Sequence, residues 1–160
     1  MVKTYNNFSL LFAGRKAMEI KMTIKIFNKL TEESKNIREI VFVNEQGFTE
    51  EYDEKEDISN HFVMFDHDGK AVATCRIFKT GKPGEYMFGR MAVLKELRGN
   101  NIGRRMIEEV ERFIIGQGGN RIILHAQLHA KGFYEKLGFI QEGETQLEQN
   151  KPHVWMSKKL

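Results

Sequence analysis

The residues best suited to chemistry in this sequence lie between Val93 and Arg105, where positions 94–104 read Leu-Lys-Glu-Leu-Arg-Gly-Asn-Asn-Ile-Gly-Arg. Glycine and asparagine accept left-handed backbone angles, so Gly99, Asn100, Asn101 and Gly103 let a loop turn its N–H groups inward. Where such a loop opens a helix, the unpaired N–H groups and the helix dipole form an anion site. Lys95, Arg98, Arg104 and Arg105 against Glu96 make the stretch net +3, the most basic in the chain, and a diphosphate is its natural guest. A glycine-rich helix cap with a solvated basic face has the same composition. The Walker phosphate loop is excluded because no Gly-Lys-Ser/Thr follows, and a dinucleotide loop would follow the first strand of a parallel unit rather than a mid-chain strand.

Other groups are scattered. His125 carries an imidazole, the side chain that titrates nearest neutrality. Residues 45–57 hold seven acids (Glu45, Glu50, Glu51, Asp53, Glu54, Glu56 and Asp57) against Lys55 alone. That run reads either as a negative lip for a cationic amine or as a solvated mobile loop. Cys75, the single cysteine, cannot form an intrachain disulfide and sits among β-favouring neighbours, which reads as a small buried hydrophobe rather than a nucleophile. With one cysteine and five dispersed histidines, no metal site is expected.

The elements that must position these groups follow from periodicity. Residues 23–28 read as a strand and 32–43 as a helix with Ile37, Ile40 and Val41 on one face. Residues 44–57 are polar and irregular. Strands at 61–66 and 70–80 are joined by Asp66-His67-Asp68-Gly69, a hairpin signal. A third strand, 86–93, leads into a strongly amphipathic helix with Ile102, Met106, Val110, Phe113 and Ile114 inward and Arg104, Arg105, Glu108, Glu109 and Arg112 toward water. Gly116, Gly118 and Gly119 end it. A buried-type strand at 121–126, a helix at 128–137 stopped by Gly138, and strands at 139–148 and 153–159 close the chain. The order is that of an α/β domain with a mixed sheet.

At 160 residues, with 41% hydrophobic and 29% charged residues, the chain is one packed domain without need of staples. A net charge of +3 is too balanced to argue for nucleic acid, and exposed aromatics do not interleave the arginines. No apolar run approaches the roughly 18 residues of a membrane helix, and the patch Phe8 to Gly14 lacks the core and cleavage site of a signal peptide. A cytoplasmic protein, with no membrane partner, is expected. Residues 1–21 read as an N-terminal extension ahead of a single domain at 22–160. Either Met22 is the true start, or Phe8, Leu10, Leu11 and Phe12 pack on the domain or on a second copy of the chain, which leaves a homodimer open.

Arg98-Gly99-Asn100-Asn101-Ile102-Gly103 resembles the R/Q-x-x-G-x-G/A pyrophosphate loop of the GNAT superfamily of N-acetyltransferases, with Asn101 in place of the middle glycine and Arg90-Met91-Ala92-Val93 as the preceding strand. Gln127 to Phe139 (QLHAKGFYEKLGF) resembles the second half of the same signature. Shorter matches resemble the ElaA-like subgroup: Val41 to Gln46, Ala126-Gln127, and Pro152-His153-Val154-Trp155-Met156. The resemblance implies an acyl-CoA N-acyltransferase fold, a central mixed and mostly antiparallel sheet of about six or seven strands flanked by helices. It implies acetyl-CoA as co-substrate, held at Arg98, Gly99, Asn100, Asn101, Ile102, Gly103 and Arg104, along the main chain of Met91, Ala92 and Val93, and at the Gln127 amide. It makes Tyr134 the general acid and places Glu45, Gln46 and His153 on the side of a small-molecule or peptide amine acceptor. For the general base, His125, Glu45, His153 and water remain open. A catalytically silent acyl-CoA-binding or sensing module on the same fold is the alternative.

Overall fold

The computed structural model describes residues 3–12, 18–49 and 51–160, with side chains from residue 21 onward. Eight strands are hydrogen-bonded in the order β1-β2-β3-β4-β5-β6-β8-β7: β1 (Lys3–Phe12), β2 (Met18–Phe27), β3 (Asn60–Phe65), β4 (Ala71–Lys79), β5 (Glu85–Val93), β6 (Arg121–Gln127), β7 (Ile140–Glu148) and β8 (Lys151–Lys159). β5 and β6 pair in parallel, while β1–β2, β2–β3, β6–β8 and β7–β8 are antiparallel. The mixed, mostly antiparallel sheet is therefore present. Its added strand, β1, comes from the segment read as an extension, and β2 starts at Met18 because the alternation Met18, Ile20, Met22, Ile24, Ile26 is already that of a strand. The packing expected of Phe8, Leu10, Leu11 and Phe12 concerns side chains outside the described residues.

Two compact units divide the chain, Met1–Arg76 with Arg90–Val110 and Ile77–Gly89 with Glu111–Leu160. In the first, α1 (Glu32–Arg38) starts at Thr31, whose side chain accepts from the Ser34 N–H. It does not run on as an α-helix to Val43. From Glu39 to Glu45 it widens into a π-helix, which brings Ile37, Val41 and Phe42 into the core at i, i+4, i+5 and turns Ile40 out, 48% exposed. Phe42 meets Phe48 edge-on, and both join Ala92 and Leu94. Residues 44–57 are less irregular than expected, with a 3-10 turn at Glu54–Ile58.

In the second unit β6 buries one face only, Ile122, Leu124 and Ala126. Arg121, Ile123, His125 and Gln127 are half-buried on the other, so the strand read as a buried type is fully buried on one face and half-buried on the other. The helix expected at 128–137 is a 3-10 turn (Leu128–Ala130) and a short α3 (Lys131–Glu135), ended at Gly138 as expected. Helix α2 (Ile102–Gly116) buries Ile102, Met106, Val110 and Ile114. Glu109, expected toward water, is only 5% exposed, since at i+3 from Met106 it falls on the inward stripe. Cys75 is buried, and burial pushes its thiol pKa well up, which leaves it no thiolate character.

Candidate active site

In the first unit the end of β5 and the loop into α2 are braced from below. Arg90 holds a left-handed φ of 54° at a non-glycine position, a conformation that persists only when its surroundings fix it. Its Nε donates to the Glu51 carbonyl at 3.1 Å, and its guanidinium lies 3.3 Å from the Glu51 carboxylate. Beyond Val93, a 3-10 turn (Lys95–Leu97) reverses the chain. Asn100 Nδ2 donates to the carbonyls of Leu97 and Arg98 (3.1 and 3.2 Å), so that side chain is spent on loop shape. Gly99 (φ 80°) and Asn101 (φ 60°) take the left-handed angles that the sequence anticipates. Ile102 is buried and anchors the first turn of α2. The first helical backbone bond there runs from Arg105 N–H to Asn101 O at 3.0 Å, so the N–H groups of Ile102, Gly103 and Arg104 precede any intrahelical acceptor. That set of donors fits a diphosphate through backbone groups.

Arg98 and Glu45 are given to each other. Nη1 and Nη2 of Arg98 donate to the two Glu45 oxygens at 2.6 and 2.9 Å, and Nε donates to the Val93 carbonyl at 2.9 Å. The Arg98 hydrogen bond holds the Glu45 carboxyl below its usual range, which opposes proton uptake by Glu45. Gln46 closes the π-helix, its N–H donating to Val43 O.

Part of the acidic segment is neither a negative lip nor a solvated loop: Glu51 and Glu56 are buried, whereas Glu54 and Asp57 are exposed. Arg38, 1% exposed, donates from Nε to Glu51 at 2.5 Å and from both terminal nitrogens to Glu56 at 3.1 and 2.7 Å. Arg76 donates to Glu56 at 2.6 Å and grips both oxygens of Asp53 at 2.7 and 2.6 Å. Three guanidiniums (Arg38, Arg76, Arg90) thus face three carboxylates (Glu51, Asp53, Glu56). Burial alone would raise the Glu56 carboxyl, but the bonds and charges of Arg38 and Arg76 outweigh it and hold it below the usual range. Hydrogen bonding to Arg76 lowers Asp53, whereas for Glu51 burial prevails and raises it. The fully buried His61 lies beside this cluster, its Nε2 3.3 Å from the Glu56 carbonyl, and burial pushes its pKa down. Of the seven acids, Glu50 lies outside the described residues. Sequence reasoning missed the cluster. Its signal was Arg76, an arginine inside the apolar strand run Ala-Val-Ala-Thr-Cys-Arg-Ile-Phe.

In the second unit, Tyr134 is 8% exposed within an aromatic box, edge-on to Phe88 (6.3 Å), Phe133 (5.1 Å) and Phe139 (5.7 Å). Phe133 itself is 37% exposed, while its neighbour Tyr134 points into the core. Gln127 ends β6 opposite His153. His125 lies opposite Trp155, and their rings stack at 4.5 Å and 17°. The His153 ring is 5.0 Å from that of His125, and its Nδ1–H donates to the Lys151 carbonyl at 2.9 Å. His125 Nδ1 is 2.8 Å from Glu148 Oε2, a partner that no motif singles out.

Fold and motif together define an acyl-CoA N-acyltransferase architecture. Residues 13–160 match the family model for the acetyltransferase (GNAT) domain, and the chain belongs to that family. It is 35% identical to the uncharacterized N-acetyltransferase YjcF of Bacillus subtilis over 125 residues, covering 76% of this chain and 87% of that one. It is 27% identical to Escherichia coli ElaA over 128 residues, covering 78% and 84%, and the ElaA crystal structure superposes with a TM-score of 0.74 over 87% of this chain and 99% of that one. An aminoglycoside 6'-N-acetyltransferase complexed with coenzyme A shares the fold at 19% identity, TM-score 0.66, covering 85% and 96%. No helix among the described residues is long and apolar enough to cross a membrane.

Proposed function

We propose that this chain transfers the acetyl group of acetyl-CoA to a primary amine by direct attack within a ternary complex. The observation that carries the reading is the loop into α2, where left-handed Gly99 and Asn101 present the N–H groups of Ile102, Gly103 and Arg104 ahead of the first helical bond. Those amides bind the diphosphate. The main chain of Met91, Ala92 and Val93 and the Gln127 amide hold the pantetheine arm. Arg98, paired with Glu45 and with the Val93 carbonyl, shapes the loop from behind. Tyr134 gives a proton or a hydrogen bond to the departing sulfur. His125 takes the proton from the attacking nitrogen, a task for which the Arg98-bound Glu45 is poorly set. Gln46 and His153 line the acceptor side. The acceptor is a small-molecule or peptide amine, and the protein acts in the cytoplasm.

An assay of free thiol released from acetyl-CoA across a panel of amines tests this directly. Amine-dependent release supports the reading. Saturable CoA binding with no release for any amine leaves a silent binding module and overturns it.

A further inference from the structure

The candidate base does not stand alone. His125 is 18% exposed and Glu148 44%, and their 2.8 Å contact joins the end of β6 to the end of β7. Glu148 is held there by a two-residue hairpin: Gln149 (φ 46°) and Asn150 (φ 59°) both take left-handed angles, as a type I′ turn requires, and Glu148 pairs in register with Lys151. The ring plane of His125 is set by its stack on Trp155. A carboxylate can only accept, so the contact requires the proton on Nδ1. In the neutral ring the lone pair is then on Nε2, which is buried and bonded to no group among the described residues. His125 and Gln127 share one face of β6, about 7 Å apart along the strand.

We infer that Glu148 is a positioning residue that fixes His125 as its Nδ1–H tautomer and so makes Nε2 the atom that accepts the acceptor's proton. The inference rests on the proposed acetyl transfer and deepens it. The neutral amine nitrogen gives its lone pair to the thioester carbonyl carbon, and a proton of that nitrogen passes to Nε2. The imidazolium keeps its Nδ1–H on the Glu148 carboxylate. The C–S electron pair leaves with sulfur, which takes the phenol proton of Tyr134. The surplus proton on His125 and the one missing from Tyr134 then cancel through solvent.

The test uses the full chain with 15N-labelled histidine at about pH 9, where an imidazole is neutral and its two nitrogens resonate far apart according to which bears the proton. The His125→Asn variant assigns the signals. The wild type is expected to show protonated Nδ1. Glu148→Leu, which removes the acceptor from an exposed strand, is expected to move the proton to Nε2. It should also lower kcat about 100- to 10,000-fold while leaving KM for acetyl-CoA within about twofold. Glu148→Gln keeps an amide oxygen for Nδ1–H, so it should retain the tautomer and recover part of kcat. Protonated Nε2 in the wild type, or an unchanged tautomer or kcat in Glu148→Leu, overturns the inference. Should the wild type acetylate no amine, the acetyl-transfer reading falls while the tautomer still decides whether Glu148 sets the ring.

Discussion

Replacing Glu56 by glutamine removes the carboxylate shared by two buried arginines. Glu56 accepts from Arg38 at 3.1 and 2.7 Å and from Arg76 at 2.6 Å, and both arginine side chains are at most 6% exposed. The change keeps the shape but leaves two carboxylates against three guanidiniums, and it aims an amide N–H₂ at a cation. Breaking one partner of a buried ion pair costs about 3–5 kcal/mol, because the remaining charge stays desolvated. Arg38 retains Glu51, which places the expected loss near the lower end, about 3 kcal/mol. In urea, the midpoint should fall by roughly 1–2 M at unchanged slope, and Tm by roughly 6–12 °C. Asp53→Asn is the internal control. Its grip on Arg76 is equally short, but its side chain is 37% exposed, so water screens the lost charge and the cost should be about 1 kcal/mol or less. A Glu56→Gln variant within about 0.5 kcal/mol of wild type, or an Asp53→Asn variant that is the more damaged, would refute the claim that burial makes this network matter.

Acid should unfold the protein in two stages. His61 has its pKa lowered by burial, so the unfolded chain takes up that proton first and stability declines as pH falls below about 6.5. Glu56 and Asp53 have lowered values, so their contribution is complete above about pH 4.5 and is lost as pH falls through their folded values, with Glu51, raised, acting in the opposite sense. Urea midpoints between pH 8 and 3 measure both stages, and His61→Gln should abolish the first. Asn101→Val is expected to weaken CoA binding about tenfold or more by isothermal calorimetry, because a β-branched residue resists a φ of 60°, while Asn101→Gly should bind equally well or better. Gly119→Ala would set a Cβ 2.5 Å from Ile114 Cγ2 and 2.7 Å from Tyr86 Cε2, costing about 1–3 kcal/mol in chemical denaturation. Tyr134→Phe should lower kcat about 10- to 10,000-fold and leave CoA affinity intact, since in the proposed mechanism the hydroxyl acts only as the C–S bond breaks.

What was legible in the sequence was local. Period-2 alternation places β3 to β6 within one or two residues, and the Gly/Asn run before Ile102 anticipates both left-handed angles of the loop. What was not legible depends on residues far apart in the chain. The π-helix at Glu39–Glu45 has no marker in a pattern tested only against periods of 2 and 3.6. The acidic run looks like a solvated face because its counter-charges come from Arg38, Arg76 and Arg90 on three other elements. Glu148 carries no mark of its own in the sequence, and the β6-β8-β7 order brings it to His125.

The same long-range pairings distinguish the surroundings of the candidate bases. Glu45 and Arg98 looked like separate functional groups, one for the acceptor and one for the diphosphate, yet each side chain satisfies the other. A carboxylate locked in two charge-assisted bonds is stabilised in its ionised form and takes a proton reluctantly. An arginine so engaged adds its shape, rather than a free charge, to the loop. In the proposed mechanism, that leaves anion binding to backbone N–H groups and proton transfer to an imidazole. His153 has its Nδ1–H committed to the Lys151 carbonyl, a fixed neighbour 5.0 Å from the His125 ring. Of the three candidate side chains, His125 alone combines a carboxylate on one ring nitrogen with a buried nitrogen on the other that no described group occupies.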